Sequence, residues 1–217
     1  MKVIEYHLDM SGFPLALHRI LNAWYRWQEV YLRARGSYPG AEQRAPGLSE
    51  SKEQVFWGKR PPEMGDGSEL VFVDSADMTL FLVKEDDCYY IDQEERSLRE
   101  RCWMFRSFED VEKYMLYMIS QAARPGPYSE SPGFRWYRQG LDHRVTLHKS
   151  DPENFPGRVS LTVNQEAEDR GWMGEDDAIA FSHAIVLTFE ELDRALRAGI
   201  PDVWFSPNIS LGGLGCI

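Results

Sequence analysis

The sequence is poor in several things at once, and each shortage removes a class of protein. Three cysteines, Cys88, Cys102 and Cys216, are scattered through 217 residues with no CxxC spacing. A structural zinc site needs thiolates and imidazoles clustered together, so no metal site is expected and the thiols read as free and buried. No run approaches the ~18 apolar residues that would cross a bilayer. The opening MKVIEYHLDM carries one Lys and is broken by Glu5 and Asp9, the wrong pattern for a secretory signal. A soluble, cytoplasmic protein with no membrane partner is expected.

Positive charge is scarce as well. Lys and Arg number 24 against 35 Asp and Glu, a formal net charge of −11, and the basic residues form no run beyond Arg33–Arg35. A nucleic-acid binder displaces counterions with a cationic face, so DNA and RNA are not expected partners. An acidic surface favours a basic protein partner instead, because opposite potentials accelerate encounter.

Catalytic signatures are missing too: there is no GxSxG elbow, P-loop, HExxH or kinase motif. The tail LGGLGCI has no helix after it to lend a phosphate its N-terminal dipole. Asp142 and His143 are neighbours, and on a strand they would point to opposite faces; His143 can still meet His183 or an acid across strands. Acid pairs such as Glu85–Asp87 and Glu175–Asp177 fall in turns, where water keeps carboxylates ordinary. No catalytic residue is assigned and no cofactor is expected.

What is present is a strand that runs into a helix. Arg101–Ala123 reads RCWMFRSFEDVEKYMLYMISQAA. Cys102–Phe105 are apolar in succession, as a buried strand requires. Ser107 then stands where an N-cap belongs, accepting from the backbone N–H of Asp110, with Glu109 and Asp110 at the positive end of the dipole. Val111, Tyr114, Met115, Met118, Ile119 and Ala122 trace one apolar stripe, while Glu109, Glu112, Lys113 and Gln121 fall away from it. Pro125 and Gly126 end the helix.

A similar pattern returns in Ala184–Ile200: a strand Ile185–Leu187, Thr188 as N-cap, Glu191 completing a capping box, Gly199 as a left-handed cap and Pro201 beyond. Two readings stay open: two independent capped helices, or two related strand-rich halves, 1–125 and 126–217, each closed by a helix. Either way the expected architecture is a single α+β domain over 1–217: a twisted antiparallel sheet with an N-terminal helix against it. Val3–Leu8 is an expected strand. That first helix starts near Pro14, buries Leu17, Ile20, Leu21, Trp24, Gln28 and Tyr31, and is capped by Gly36. Ser37–Glu69 is a Gly-, Pro- and Ser-rich loop that Phe56 and Trp57 can pin. Expected strands follow at Leu70–Val73, Thr79–Val83, Cys88–Ile91, Arg101–Phe105, Phe134–Tyr137, Val145–His148, Arg158–Val163 and Ala178–Leu187, with Val203–Phe205 last.

One stretch has the composition of a recognition loop. Asn164–Asp177, NQEAEDRGWMGEDD, holds six acids against one base and sets Trp172 and Met173 between Gly171 and Gly174. An aromatic anchor supplies contact energy and the charges steer a basic partner, so the partner-binding residues expected are Trp172, Met173, Glu175, Asp176, Glu168 and Asp169, together with Trp57. The alternative is that Trp172 folds back to plug the core beneath its own loop.

WMFRSFEDVEKYMLYMISQAARPG, preceded by the CYYID strand, resembles the immunity proteins of bacterial polymorphic-toxin systems, in particular those that neutralise the NAD-degrading tuberculosis necrotizing toxin. The resemblance covers Leu70 to Pro125 and rests on the pattern [ST]-F-x-[DE]-x-E-K-Y-[ML]. It implies a non-catalytic α+β inhibitor in the cytoplasm, a monomer that forms a heterodimer with a cognate toxin domain and occludes that domain's basic cleft. No inhibitory residue carries across. The alternatives from other classes are a regulatory or scaffold binding protein, and an enzyme whose site is assembled from His143, His148 and nearby acids.

Overall fold

Short apolar and polar alternation, punctuated by acidic turns, builds most of the sheet. A computed structural model describes residues 6–8, 10–34, 62–66, 69–73, 78–149, 151–205 and 209–211, and the fold is that of these residues. Strands β1 (Tyr6–Leu8), β2 (Glu63–Met64), β3 (Leu70–Val73), β4 (Met78–Glu85), β5 (Cys88–Glu95), β6 (Leu98–Phe105), β7 (Val145–His148), β8 (Arg158–Val163), β9 (Gly171–Gly174) and β10 (Ile209–Leu211) are joined by helices α1 (His18–Ala34), α2 (Phe108–Ala123), α3 (Pro132–Gln139), α4 (Glu175–Ile185) and α5 (Phe189–Arg197). Strands β1 and β10 form a parallel pair, and the other eight form one sheet in the order β2-β3-β4-β5-β6-β9-β8-β7, every neighbour antiparallel. The sheet is open, with β2 and β7 at its edges.

One face of this sheet carries the core. Leu70, Phe72, Leu80, Leu82, Ile91, Trp103, Phe105, Val159, Leu161, Val163 and Met173 join one buried cluster with Tyr114 and Met115 of α2, Phe181 of α4 and Leu192 of α5. Helix α1 packs on α2, burying Ile20, Leu21, Trp24 and Gln28 as its spacing predicts. Because α1, α4 and α5 all contact α2, that helix is buried nearly all round. Glu112 and Lys113, expected to face water, are therefore buried: Glu112 accepts from Arg19 at 2.9 Å, and Lys113 donates to the Ile185 carbonyl at 3.3 Å.

Several expectations change. Ala178–Leu187 is helix α4 and a turn, not a strand; Glu175, Asp176 and Asp177 supply the first-turn charge that starts it, and Ala178, Phe181, Ser182 and Ile185 then bury at helical spacing. Phe134–Tyr137 lies in α3, because Ser131 accepts from the Phe134 N–H and Pro132 opens the helix. Val203 and Phe205 belong to a short 3-10 segment and its end. Ser107 precedes α2 but makes no side-chain cap hydrogen bond. At α5 the capping box of Thr188 and Glu191 is complete, and Gly199 adopts φ of 82°.

The two halves are therefore not copies in the expected register. The α5 segment that matches α2 in sequence has α4, not a strand, before it. Instead the two meanders meet side by side, β6 against β9, with Met104 opposite Trp172. Gly36, Phe56, Trp57 and Cys216 lie outside the described residues, as does most of the 37–69 loop. Cys88 and Cys102 are free thiols, and burial raises the Cys102 pKa.

Candidate functional site

The stretch read as a recognition loop is three different things. Asn164–Arg170 turns the β8–β9 hairpin, Gly171–Gly174 is a strand in the middle of the sheet, and Glu175–Asp177 is the first turn of α4. The glycine at 171 is there for contact, not flexibility: its φ is +148°, and a Cβ would meet the Met104 carbonyl oxygen at 2.0 Å. Alternation along β9 then sends its two large side chains opposite ways. Met173 is fully buried in the core, which removes it from any contact surface, while Trp172 lies on the other face and is half-buried.

That other face is the candidate site. The register places Tyr90, Met104, Trp172 and Ser160 in one row across β5, β6, β9 and β8, with His148 at its end on β7. Tyr90, Met104 and Trp172 take no part in the core cluster, although Met104 is only 6% exposed. Arginine guanidiniums sit over the rings of this face: Arg99 over Phe81 at 4.0 Å, Arg101 over Tyr90 at 3.7 Å and Arg158 over Trp172 at 3.6 Å. Tyr, Trp, Phe, Met and Arg are the residues enriched at the centres of protein interfaces, and here they stand together on a sheet face.

Acids rim this row. Asp92, buried between two arginines, pairs with Arg99 at 2.9 Å and Arg101 at 3.4 Å, and Glu69 and Glu85 hold the same arginines from outside. The Glu69 hydrogen bonds raise the Arg99 pKa. At one end of β9, Glu168 is exposed and Asp169 takes a two-pronged bond from Arg106 at 3.0 Å. At the other end Glu175 pairs with Lys149 at 3.2 Å, and exposed Asp176 accepts from the Tyr137 hydroxyl at 3.4 Å. The acids expected around Trp172 thus flank it along the strand.

Asp177 is the exception among these turn acids. The residue keeps exposed surface, but its carboxyl accepts from the Trp103 indole N–H at 3.0 Å, and burial of that carboxyl raises its pKa.

The histidines are placed separately. His148 is exposed and bonds Thr162 at 3.2 Å. His143 and Asp142 follow a turn rather than alternating on a strand. The Asp142 carboxylate faces His143 Nδ1 at 3.5 Å and His183 Nδ1 at 3.7 Å, but its main partner is the Arg144 fork at 3.0 Å, which holds the carboxyl down to about 2. His183 is fixed by donating to the Gly140 carbonyl at 2.7 Å. A cleft of about 630 Å³ between α1 and α5 is lined by Arg19, Arg26, Asp193 and Arg197; Arg19 pairs with Glu190 of α5 and Glu112 of α2, Arg26 with Asp193 across the two helices, and Arg197 with Asp193 within α5. Among the described residues no group of three or more His, Cys, Asp or Glu could hold a metal, and no helix is long and apolar enough to cross a membrane.

Fold and site together define an α+β protein with an open antiparallel sheet whose face away from the core cluster, among the described residues, is aromatic and arginine-rich. No protein-family model matches the chain, and neither does any curated protein. The chain is similar to a solved structure, Rv3902c from M. tuberculosis, at 13% identity and a TM-score of 0.49, over 85% of this chain and 92% of that one.

Proposed function

We propose that this is a toxin-neutralising binding protein that acts by covering the active-site cleft of a cognate toxin domain with the open face of its sheet. The observation that carries the reading is the row Tyr90–Met104–Trp172 with its stacked arginines, outside the core cluster and on the face away from it. Large rigid rings deliver contact area at little entropic cost, and the acidic rim steers them toward a cationic surface. The sequence resemblance over Leu70 to Pro125 adds the partner class, an NAD-degrading domain whose cleft accepts an anionic dinucleotide. Trp172, in the middle of the row, fills the entrance, while Glu168 and Asp169 at one end and Glu175 and Asp176 at the other contact its basic rim.

The test is capture from the native host followed by assay. The expected result is a secreted-toxin domain, encoded beside this protein's gene, whose NAD-degrading activity falls to zero at a one-to-one ratio. A captured domain that stays fully active at saturating protein, or recovery of no such domain, overturns the reading.

A further inference from the structure

The three stacked arginines of the open face are not equivalent. Arg99 and Arg101 are neutralised by Glu69, Asp92 and Glu85. Arg158 lies between two rings, 3.6 Å from the Trp172 centroid and 4.0 Å from that of Phe155. Its backbone N–H donates to the Phe155 carbonyl at 3.1 Å, which folds the preceding turn so that the Phe155 ring, itself 46% exposed, forms the second wall. Among the described residues the Arg158 guanidinium makes no ion pair within 4.0 Å and no hydrogen bond; the Asp151 carboxylate, engaged with Asn154, acts on it only at longer range. Burial lowers its pKa, where the Glu69 hydrogen bonds raise that of Arg99.

A guanidinium clamped between rings has already lost its rotamer freedom, yet it keeps its fork of N–H donors along the uncovered edge. That geometry suits a planar, singly charged acceptor taken bidentately. A doubly charged phosphate is a poorer match, because a single guanidinium stands here in a chain of net charge −11.

We infer that Arg158 is a preformed socket for one carboxylate, an aspartate or glutamate side chain of the protein that docks on the open face. The inference rests on the docking reading above and adds to it. The acidic rim attracts a basic surface, and the socket at its centre demands one acid at one position, so a uniformly basic competitor meets an unmatched cation there.

Two arms test it. In the first, the Nε–H signals of Arg158, Arg99 and Arg101 and the indole N–H of Trp172 are followed by NMR while potassium acetate replaces potassium chloride at constant ionic strength. The expected result is movement of Arg158 and Trp172 with Arg99 and Arg101 nearly still, and loss of the Trp172 response in Arg158→Gln. Equal movement of all three arginines, or none, overturns the socket. In the second arm, Arg158→Gln, with wild-type circular dichroism, weakens the captured toxin domain by about 30-fold or more. Unchanged affinity overturns the socket and leaves the docking reading standing. If wild-type protein binds no toxin domain, the docking reading fails and the acetate arm alone decides the socket.

Discussion

Gly171 and Met104 meet across the β6–β9 pairing so closely that a single methyl group at 171 would sit 2.0 Å from the Met104 carbonyl oxygen. This contact is the seam between the two meanders, and it sets Trp172 beside Met104 on the open face. Gly171→Ala must either break the pairing or distort a backbone already at φ of +148°. The expected cost is more than about 2 kcal/mol in urea unfolding. A variant within about 0.5 kcal/mol of wild type would mean that β9 is not held as described.

Asp110 is fully buried and takes two bonds from Arg170, at 2.8 and 3.1 Å, with Lys113 at 3.7 Å. Removing the acid takes the fully buried carboxylate from both cations and leaves Lys113 only Glu109 and Arg170 only Glu166, each of them nearer the surface. Asp110→Ala is expected to destabilise by about 3–5 kcal/mol. A double-mutant cycle with Arg170→Met checks the pairing, since independent sites would give additive losses.

The two helix caps behave differently. Thr188 accepts from Glu191 N–H at 3.2 Å and Glu191 answers by accepting from Thr188 N–H at 2.9 Å, whereas Ser107 makes no such bond. Thr188→Ala is expected to cost about 1 kcal/mol. Ser107→Ala is expected to stay within about 0.5 kcal/mol. Equal losses in thermal melts would contradict the distinction.

Asp142 sets a pH dependence. The Arg144 fork lowers its carboxyl from the ordinary 3.8 to about 2 in the folded state. A depressed carboxyl pKa stabilises the fold in full above the unfolded value and loses that contribution as pH falls through the folded value. The melting temperature of wild type should therefore exceed that of Asp142→Asn above pH ~4, and the gap should close between pH ~4 and ~2. A gap that persists at the acid end would contradict the Arg144 pairing.

Much of the fold was legible because single-residue rules governed it. Val145–His148 and Arg158–Val163 alternate cleanly and Leu70–Val73 is a short apolar run; all three are strands with those bounds, and α1 buries the face its spacing predicts. Ala178–Leu187 misled because a short apolar run fits either period, and the deciding signal was the acid triplet at Glu175–Asp177. The open face was harder. Trp172 stood out in the sequence, but Tyr90 and Met104 come from β5 and β6 and meet it only through the β6–β9 pairing, which links residues 68 apart (172 − 104), while Arg158 meets it across the β8–β9 hairpin. Met173, adjacent to Trp172, belongs to the core because a strand sends neighbours to opposite faces.

The docking claim is tested most directly by titration calorimetry of the captured toxin domain against two variants. Trp172→Ala removes the ring at the centre of the open face, and Arg194→Ala alters the helix side, beside the cleft between α1 and α5. The expected result is a loss of at least about 30-fold for Trp172→Ala, as for a central aromatic anchor, and no change for Arg194→Ala. Full affinity in Trp172→Ala, or a comparable loss from the helix side, would show that the partner does not dock on the open face.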